Sequence, residues 1–310
     1  MKNDPILMAL ARLDDIDLQT SDGRKHFAKA LAAKSNLVAA KAARIAGEAQ
    51  VRELNDDLAA AFHRFLQRGA DVDKGCMALT AIARALYSLD YDEPELYLAG
   101  MKHFQLEASW GPPVDTASEL RAVCAMGLAS TRYRQPLHAL VDMLVDPEWQ
   151  ARAAAVRAIA AVGSESAALL LRLKALSGDR ETDVIADCFS GLLALEGSDA
   201  LTLVESFAKS RAPALAEAAL LALGASRRSD AVEWLKNRFG EVASAQIRKS
   251  ILLSLATSRT EAAIEFLLGL IRDESEQTSA AALAAMEIHR DERLREQIDE
   301  ALRARGRAGR

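Results

Sequence analysis

Few residues in this chain punctuate or rigidify it. Aromatics make up 5% of the 310 residues, with seven prolines and sixteen glycines. The apolar half is mostly alanine and leucine, a composition that favours helix. Cysteine is scarcer still. Cys76, Cys124 and Cys188 lie far apart and form no CxxC pair, which excludes a disulfide framework and a zinc knuckle. No run of about 18 apolar residues is present, so no helix is expected to span a membrane. The opening stretch MKNDPILMALARLDDIDLQTSDG has too short an apolar core for a secretory signal. Together these point to a reducing, cytoplasmic location. There is no basic surplus either. A net charge of −5 argues against general nucleic-acid binding, which draws its affinity from phosphate neutralisation. At 27% charged residues the chain is nonetheless a folded composition rather than a disordered one.

Catalytic signatures are also lacking. GxxxxGK[ST], HExxH, GxSxG and GxGxxG do not occur. Ser206 and Lys209 satisfy SxxK, a short pattern that arises by chance. His103 and Glu107 are four apart and could share a metal on one helix, but a surface hydrogen bond is the plainer reading. No catalytic residue, metal or cofactor is expected. Cys124 and Cys188 read as core, as does Cys76.

What the chain does have is repetition. The pentapeptides PLHAL, AALLL, ALTLV, AVEWL and AIEFL begin at 136, 167, 200, 231 and 263, spaced 31, 33, 31 and 32 apart. Nine positions before each start stands a small residue: Gly127, Ala158, Gly191, Ala222, Ser254. The next residue is always large and aliphatic: Leu128, Ile159, Leu192, Leu223, Leu255. Twelve before the start stand Cys124, Ala155, Cys188, Ala219 and Ile251. Such columns mark a stacked array of helix pairs, in which small residues let neighbours approach closely. Eight pairs are expected, over 35–67, 73–106, 116–145, 147–176, 181–209, 212–239, 244–272 and 276–304. Residues 1–34 would form an N-terminal helical cap, and 305–310 a basic, disordered tail. The period stretches between Pro94 and Pro136, which places an insertion over 107–118 holding Trp110, Gly111, Pro112 and Pro113. Thr116 and Glu119 read as a capping box for the next helix.

The stretch DPEWQARAAAVRAIAAVGSESAALLLRLKAL resembles a HEAT-like repeat of the type found in phycobilisome lyases. Asp146, Pro147, Arg152, the alanine run and Val162–Gly163 carry the likeness, and Arg121 and Arg248 share the column of Arg152. Ile185 and Ala216 depart from that column. The resemblance implies an all-α solenoid, with second helices lining its concave face. It says little about function, because such arrays host many roles. The expected function is a non-enzymatic scaffold binding a protein partner. The alternatives are a bilin lyase-like chromophore enzyme and, further off, a HEAT-like DNA-repair protein. The residues assigned to partner binding are Trp110, His138, Arg172, Glu205 and Lys236. Trp110 itself reads either as a plug in a neighbouring groove or as an aromatic anchor.

Overall fold

The computed structural model describes residues 4–289 and 291–308. Its helices fall into two compact units, one ending at Gly163 and the other beginning at Ser164. The first holds α1 (Pro5–Asp14), α2 (Ser21–Leu31), α3 (Asn36–Glu48), α4 (Asn55–Arg68), α5 (Met77–Ser88), α6 (Pro94–Met101), α7 (Ser118–Ser130), α8 (Pro136–Asp142) and α9 (Trp149–Val162). The second holds α10 (Glu165–Ser177), α11 (Thr182–Glu196), α12 (Ser198–Ala208), α13 (Pro213–Ala225), α14 (Ser229–Glu241), α15 (Ala245–Ser258), α16 (Glu261–Asp273), α17 (Glu276–Met286) and α18 (Glu292–Ala308). Each expected pair corresponds to two consecutive helices. The fold is all-α, and no described helix is long and apolar enough to cross a membrane.

Local chemistry sets the helix starts. Pro5, Pro94, Pro136 and Pro213 occupy first-turn positions, where a missing N–H costs nothing. Thr20, Ser164, Ser244, Thr260 and Ser275 each turn a side-chain oxygen to accept an N–H of the first turn. At the start of α7 the expected capping box does not form. Thr116 Oγ1 instead donates to the carboxylate of Glu107, and Asp115 Oδ1 accepts the N–H of Ala117.

The repeat columns are the core. Leu128, Ile159, Leu192, Leu223 and Leu255 are fully buried, as are Cys124, Ala155, Cys188, Ala219 and Ile251. First helices pack side by side, α3 on α5, α5 on α7 and α7 on α9, then α11 on α13, α13 on α15 and α15 on α17. That closeness explains the alanine run of α9, where Ala153, Ala154 and Ala155 are all buried. Gly224 shows how tight the spacing is. A Cβ there would lie 2.1 Å from the Ser254 carbonyl oxygen on α15.

Two expectations are corrected. The insertion is not an irregular loop, since Leu106–Glu107 (β1) and Val114–Asp115 (β2) pair antiparallel, Leu106 opposite Asp115 and Glu107 opposite Val114. The basic tail is not disordered through 305–308. There α18 continues to Ala308, and Arg305 donates to the carbonyls of Ile271 and Glu274 at the end of α16, satisfying acceptors the helix leaves orphaned. Residues 309–310 lie outside the described residues.

Gly224→Ala is expected to force α13 away from α15 and to cost about 1–3 kcal/mol by denaturant unfolding. Gly269 lies within α16 with nothing near enough to meet a Cβ. Gly269→Ala is therefore expected to add about 1 kcal/mol through helix propensity alone.

Candidate functional site

The alanine spacing that brings first helices together also leaves space above them. In the first unit, two open hollows of about 880 and 830 Å³ run along α3, α5, α7 and α9. Their floor is short side chains: Ala40, Ala81 and Ala85 in one, Ala122, Ala153 and Ala154 in the other. Their rim is long: Leu37, Lys41, Arg44, Met77 and Arg84, then Met126, Trp149 and Arg157. Leu37 and Met77 are 42% and 48% exposed, large apolar side chains left uncovered on this face. Gly75, Arg84 and Glu119 border both hollows, and the ion pair of Arg84 with Glu119 bridges α5 and α7 between them. Gly47 fixes the closeness of α3 and α5, since a Cβ there would meet Ala85 Cα and Ser88 Oγ at 3.0 Å.

These hollows lie on the first helices, whereas the expectation from sequence puts partner binding on the second helices. The missed residues were legible in principle. Leu37, Lys41, Arg44 and Glu48 recur at helical spacing on one face of α3, as Met77, Ala81, Arg84 and Ser88 do on α5.

One end of the face is held by a buried polar cluster. The guanidinium of Arg121, on α7, is fully buried. Its Nε and Nη2 donate to Asp146 at 2.8 and 2.9 Å, and its Nη1 to Asp115 at 2.7 Å and to the His103 carbonyl at 3.1 Å. The Phe104 ring lies 4.0 Å from the guanidinium carbon. Asp115 also accepts the N–H groups of Gln105 and Ala117, and Asp146 that of Glu148. Burial opposes ionisation of Asp115, but those N–H groups and Arg121 outweigh it and hold the carboxyl below its ordinary value. Glu107, on the other strand, accepts from Gln105 Nε2, Gly75 N and Thr116 Oγ1, and it too is lowered, first by the Gln105 bond. The Glu107–Gly75 bond ties the hairpin to the turn before α5, where Asp73 accepts the N–H groups of Ala78 and Leu79.

Of the five residues assigned from sequence, Trp110 and His138 fall in the first unit and Arg172, Glu205 and Lys236 in the second. Trp110, beyond β1 in the hairpin turn, is 109% exposed, which rules out the plug. His138, on α8, borders a separate hollow with Phe104 and Tyr133 that Trp110 does not line. In the second unit, Arg172 on α10 is held by Glu196 at 2.5 Å, and Lys236 on α14 by Glu233 at 2.7 Å. Glu205 on α12 is partly buried, and burial raises its carboxyl despite nearby Lys209. His103 follows the end of α6 and Glu107 lies in β1, so the two share no helix. Ser206 Oγ donates to the Leu203 carbonyl, and Lys209 Nζ sits 5.6 Å from the Trp234 ring centre. Burial pushes the Cys76 and Cys188 thiols up to about 12 and raises Cys124 as well.

Trp110→Ala is expected to leave unfolding free energy within about 0.5 kcal/mol of wild type. Arg121→Leu strands two buried carboxylates and is expected to cost about 3–5 kcal/mol. The pH dependence follows from the lowered carboxyls. Their stabilisation is complete above the ordinary values of 3.8 for Asp115 and 4.5 for Glu107, and it is lost as pH falls through the still lower folded values. A pH series of urea melts is therefore expected to fall less steeply in that acid range for Glu107→Gln than for wild type.

No family model matches the chain, and no curated protein matches it. Among solved structures, a chain of the CpcE–CpcF complex of phycocyanin lyase from Nostoc sp. is 17% identical, covering 72% of this chain and 88% of its own, with a TM-score of 0.38. Human deoxyhypusine hydroxylase, in complex with glycerol, is 19% identical, covering 82% of this chain and 98% of its own, with a TM-score of 0.34. The chain is similar to both in its helical architecture.

Proposed function

We propose that this protein is a non-catalytic adaptor whose first-helix face, in the unit ending at Gly163, binds an apolar and acidic segment of a partner protein. The observation that carries this reading is the pair of adjoining hollows along α3, α5, α7 and α9, floored by alanine and rimmed by exposed apolar and basic side chains. Small side chains below and long ones at the edges suit an inserted polypeptide, whose larger side chains fill what alanine leaves open. Lys41, Arg44, Arg84 and Arg157 stand at the rim against the exposed carboxylates Glu48 and Glu119. Asp115 also borders the space but is committed to Arg121. The rim cations stand paired, Lys41 with Asp14, Arg44 with Glu48 and Arg84 with Glu119, so an acidic partner segment binds by displacing those carboxylates. Exposed pairs such as Arg44–Glu48 and Arg84–Glu119 are each worth about 1 kcal/mol or less. A partner carboxylate can exchange into them at little cost.

Binding rather than catalysis is supported by the state of the nucleophile candidates. All three thiols are buried and held protonated, and Ser206 and Lys209 engage different neighbours.

The test compares partners co-purified from the native cell by wild type, by Arg44→Glu/Arg84→Glu and by Lys236→Glu in the other unit. The groove variant is expected to lose its partner by at least about tenfold in affinity, with helical content unchanged. Lys236→Glu is expected to retain it. Equal recovery by the groove variant would sink the proposal.

A further inference from the structure

The column that holds Arg121 and Arg152 also holds Arg248, on α15, and the three guanidiniums have different partners. Arg121 has Asp115 six places before it and Asp146 25 places after it, and both carboxylates accept from it. Arg152 donates to the carbonyls of Asp146 and Pro147. Arg248 has Val242 six places before it. Asp273 stands 25 places after it, but Arg272 holds Asp273 through two parallel bonds at 2.9 and 2.7 Å. No acceptor among the described residues pairs with the Arg248 guanidinium.

Arg248 is nonetheless held in place. Its guanidinium carbon lies 4.2 Å from the centre of the Phe239 ring at the end of α14, as that of Arg121 lies 4.0 Å from Phe104. Stacking fixes the plane of the fork and leaves the donors at its edge open. Half-buried Arg248 borders a hollow of about 530 Å³ between α15 and α17, walled by Leu252, Ala280, Ala281 and Ala284. Lys249, exposed and without an ion pair among the described residues, is a second cation on it. No carboxylate lines this hollow. Glu241 is paired with Arg238, and Glu274 and Glu276, either side of the lining residue Ser275, do not border it.

We propose that this hollow binds the carboxylate of a small organic acid. Arg248 takes the carboxylate along its edge as Arg121 takes Asp146, Lys249 adds a second positive charge, and the alanines of α17 receive the apolar body. The planar carboxylate is the group that the same fork, stacked on the same kind of ring, accepts in the first unit. The volume falls in the roughly 300–1,000 Å³ range of small-molecule sites. The site belongs to the second unit and does not rest on the groove of the first.

Ligand-observed NMR of the full chain with benzoate, at fixed ionic strength, tests the proposal. Wild type is expected to bind benzoate saturably, and benzyl alcohol, which keeps the ring without the charge, at least about tenfold more weakly. Sulfate, which keeps the charge without the apolar body, is expected to leave benzoate bound. Arg248→Gln is expected to weaken benzoate by about tenfold or more. Lys249→Glu, at an exposed position that leaves the Phe239 stack untouched, is expected to weaken it similarly with melting temperature unchanged. Asp273→Asn is expected to leave binding as it is, because Arg272 already holds Asp273. A wild type without saturable binding overturns the proposal, as does binding that survives Arg248→Gln or Lys249→Glu. Equal binding of benzyl alcohol, or displacement by sulfate at equal concentration, reduces the site to apolar contact or to bare charge and overturns it too. Binding that appears only in Asp273→Asn places Asp273 on Arg248 and leaves no site. A blocked glutamate that binds more tightly than benzoate assigns the hollow to an acidic peptide side chain and overturns the small acid.

Discussion

The buried guanidinium of Arg121 organises much of the first unit. It joins three pieces of chain: the end of the α6 turn through the His103 carbonyl, the hairpin through Asp115, and the start of α9 through Asp146. A lone buried charge would be prohibitive. Here two carboxylates flank it, and backbone N–H groups satisfy their remaining lone pairs. The planar fork of arginine makes this possible, since one side engages Asp146 in a bidentate pair while the other reaches Asp115. Because Asp146 belongs to the turn before α9, the cluster also sets where one repeat meets the next.

Alanine has a second role that follows from its first. Short side chains let the first helices approach until glycine is required, as at Gly47 and Gly224, where a Cβ would strike the neighbouring helix. The same short side chains cannot fill the face above that contact. The hollows of the first unit are what close helix spacing leaves behind, and the long side chains at their rim are the residues free to project past it. Packing economy inside and binding capacity outside come from one composition.

The two units use their surface charge differently. In the first, rim charges form exposed pairs such as Arg44–Glu48, weak enough to exchange with a ligand. In the second, Arg172 and Lys174 are drawn onto carboxylates of their own unit. A cation in a binding column is therefore not equivalent to a cation available for binding.

Periodicity determined the helix pairs, the core columns and the position of the insertion, because burial demands small and large residues at fixed places in every unit. Leu128, Ile159, Leu192, Leu223 and Leu255 could be named as core from spacing alone. The structure of the insertion was not legible, because the two-residue strands are held by tertiary hydrogen bonds. Gly75 donates to Glu107 and the Asp73 carbonyl accepts from Gln105, both from the distant turn before α5. Trp110 stood out by composition, but only tertiary structure decides whether a tryptophan beside Gly-Pro-Pro is covered, and this one is not. The face with the hollows was also a tertiary outcome. Every amphipathic helix has an outward side, and which of those sides adjoin depends on how closely neighbouring helices stand. That distance is set by pairs such as Gly47 with Ala85, which meet only after the chain has folded.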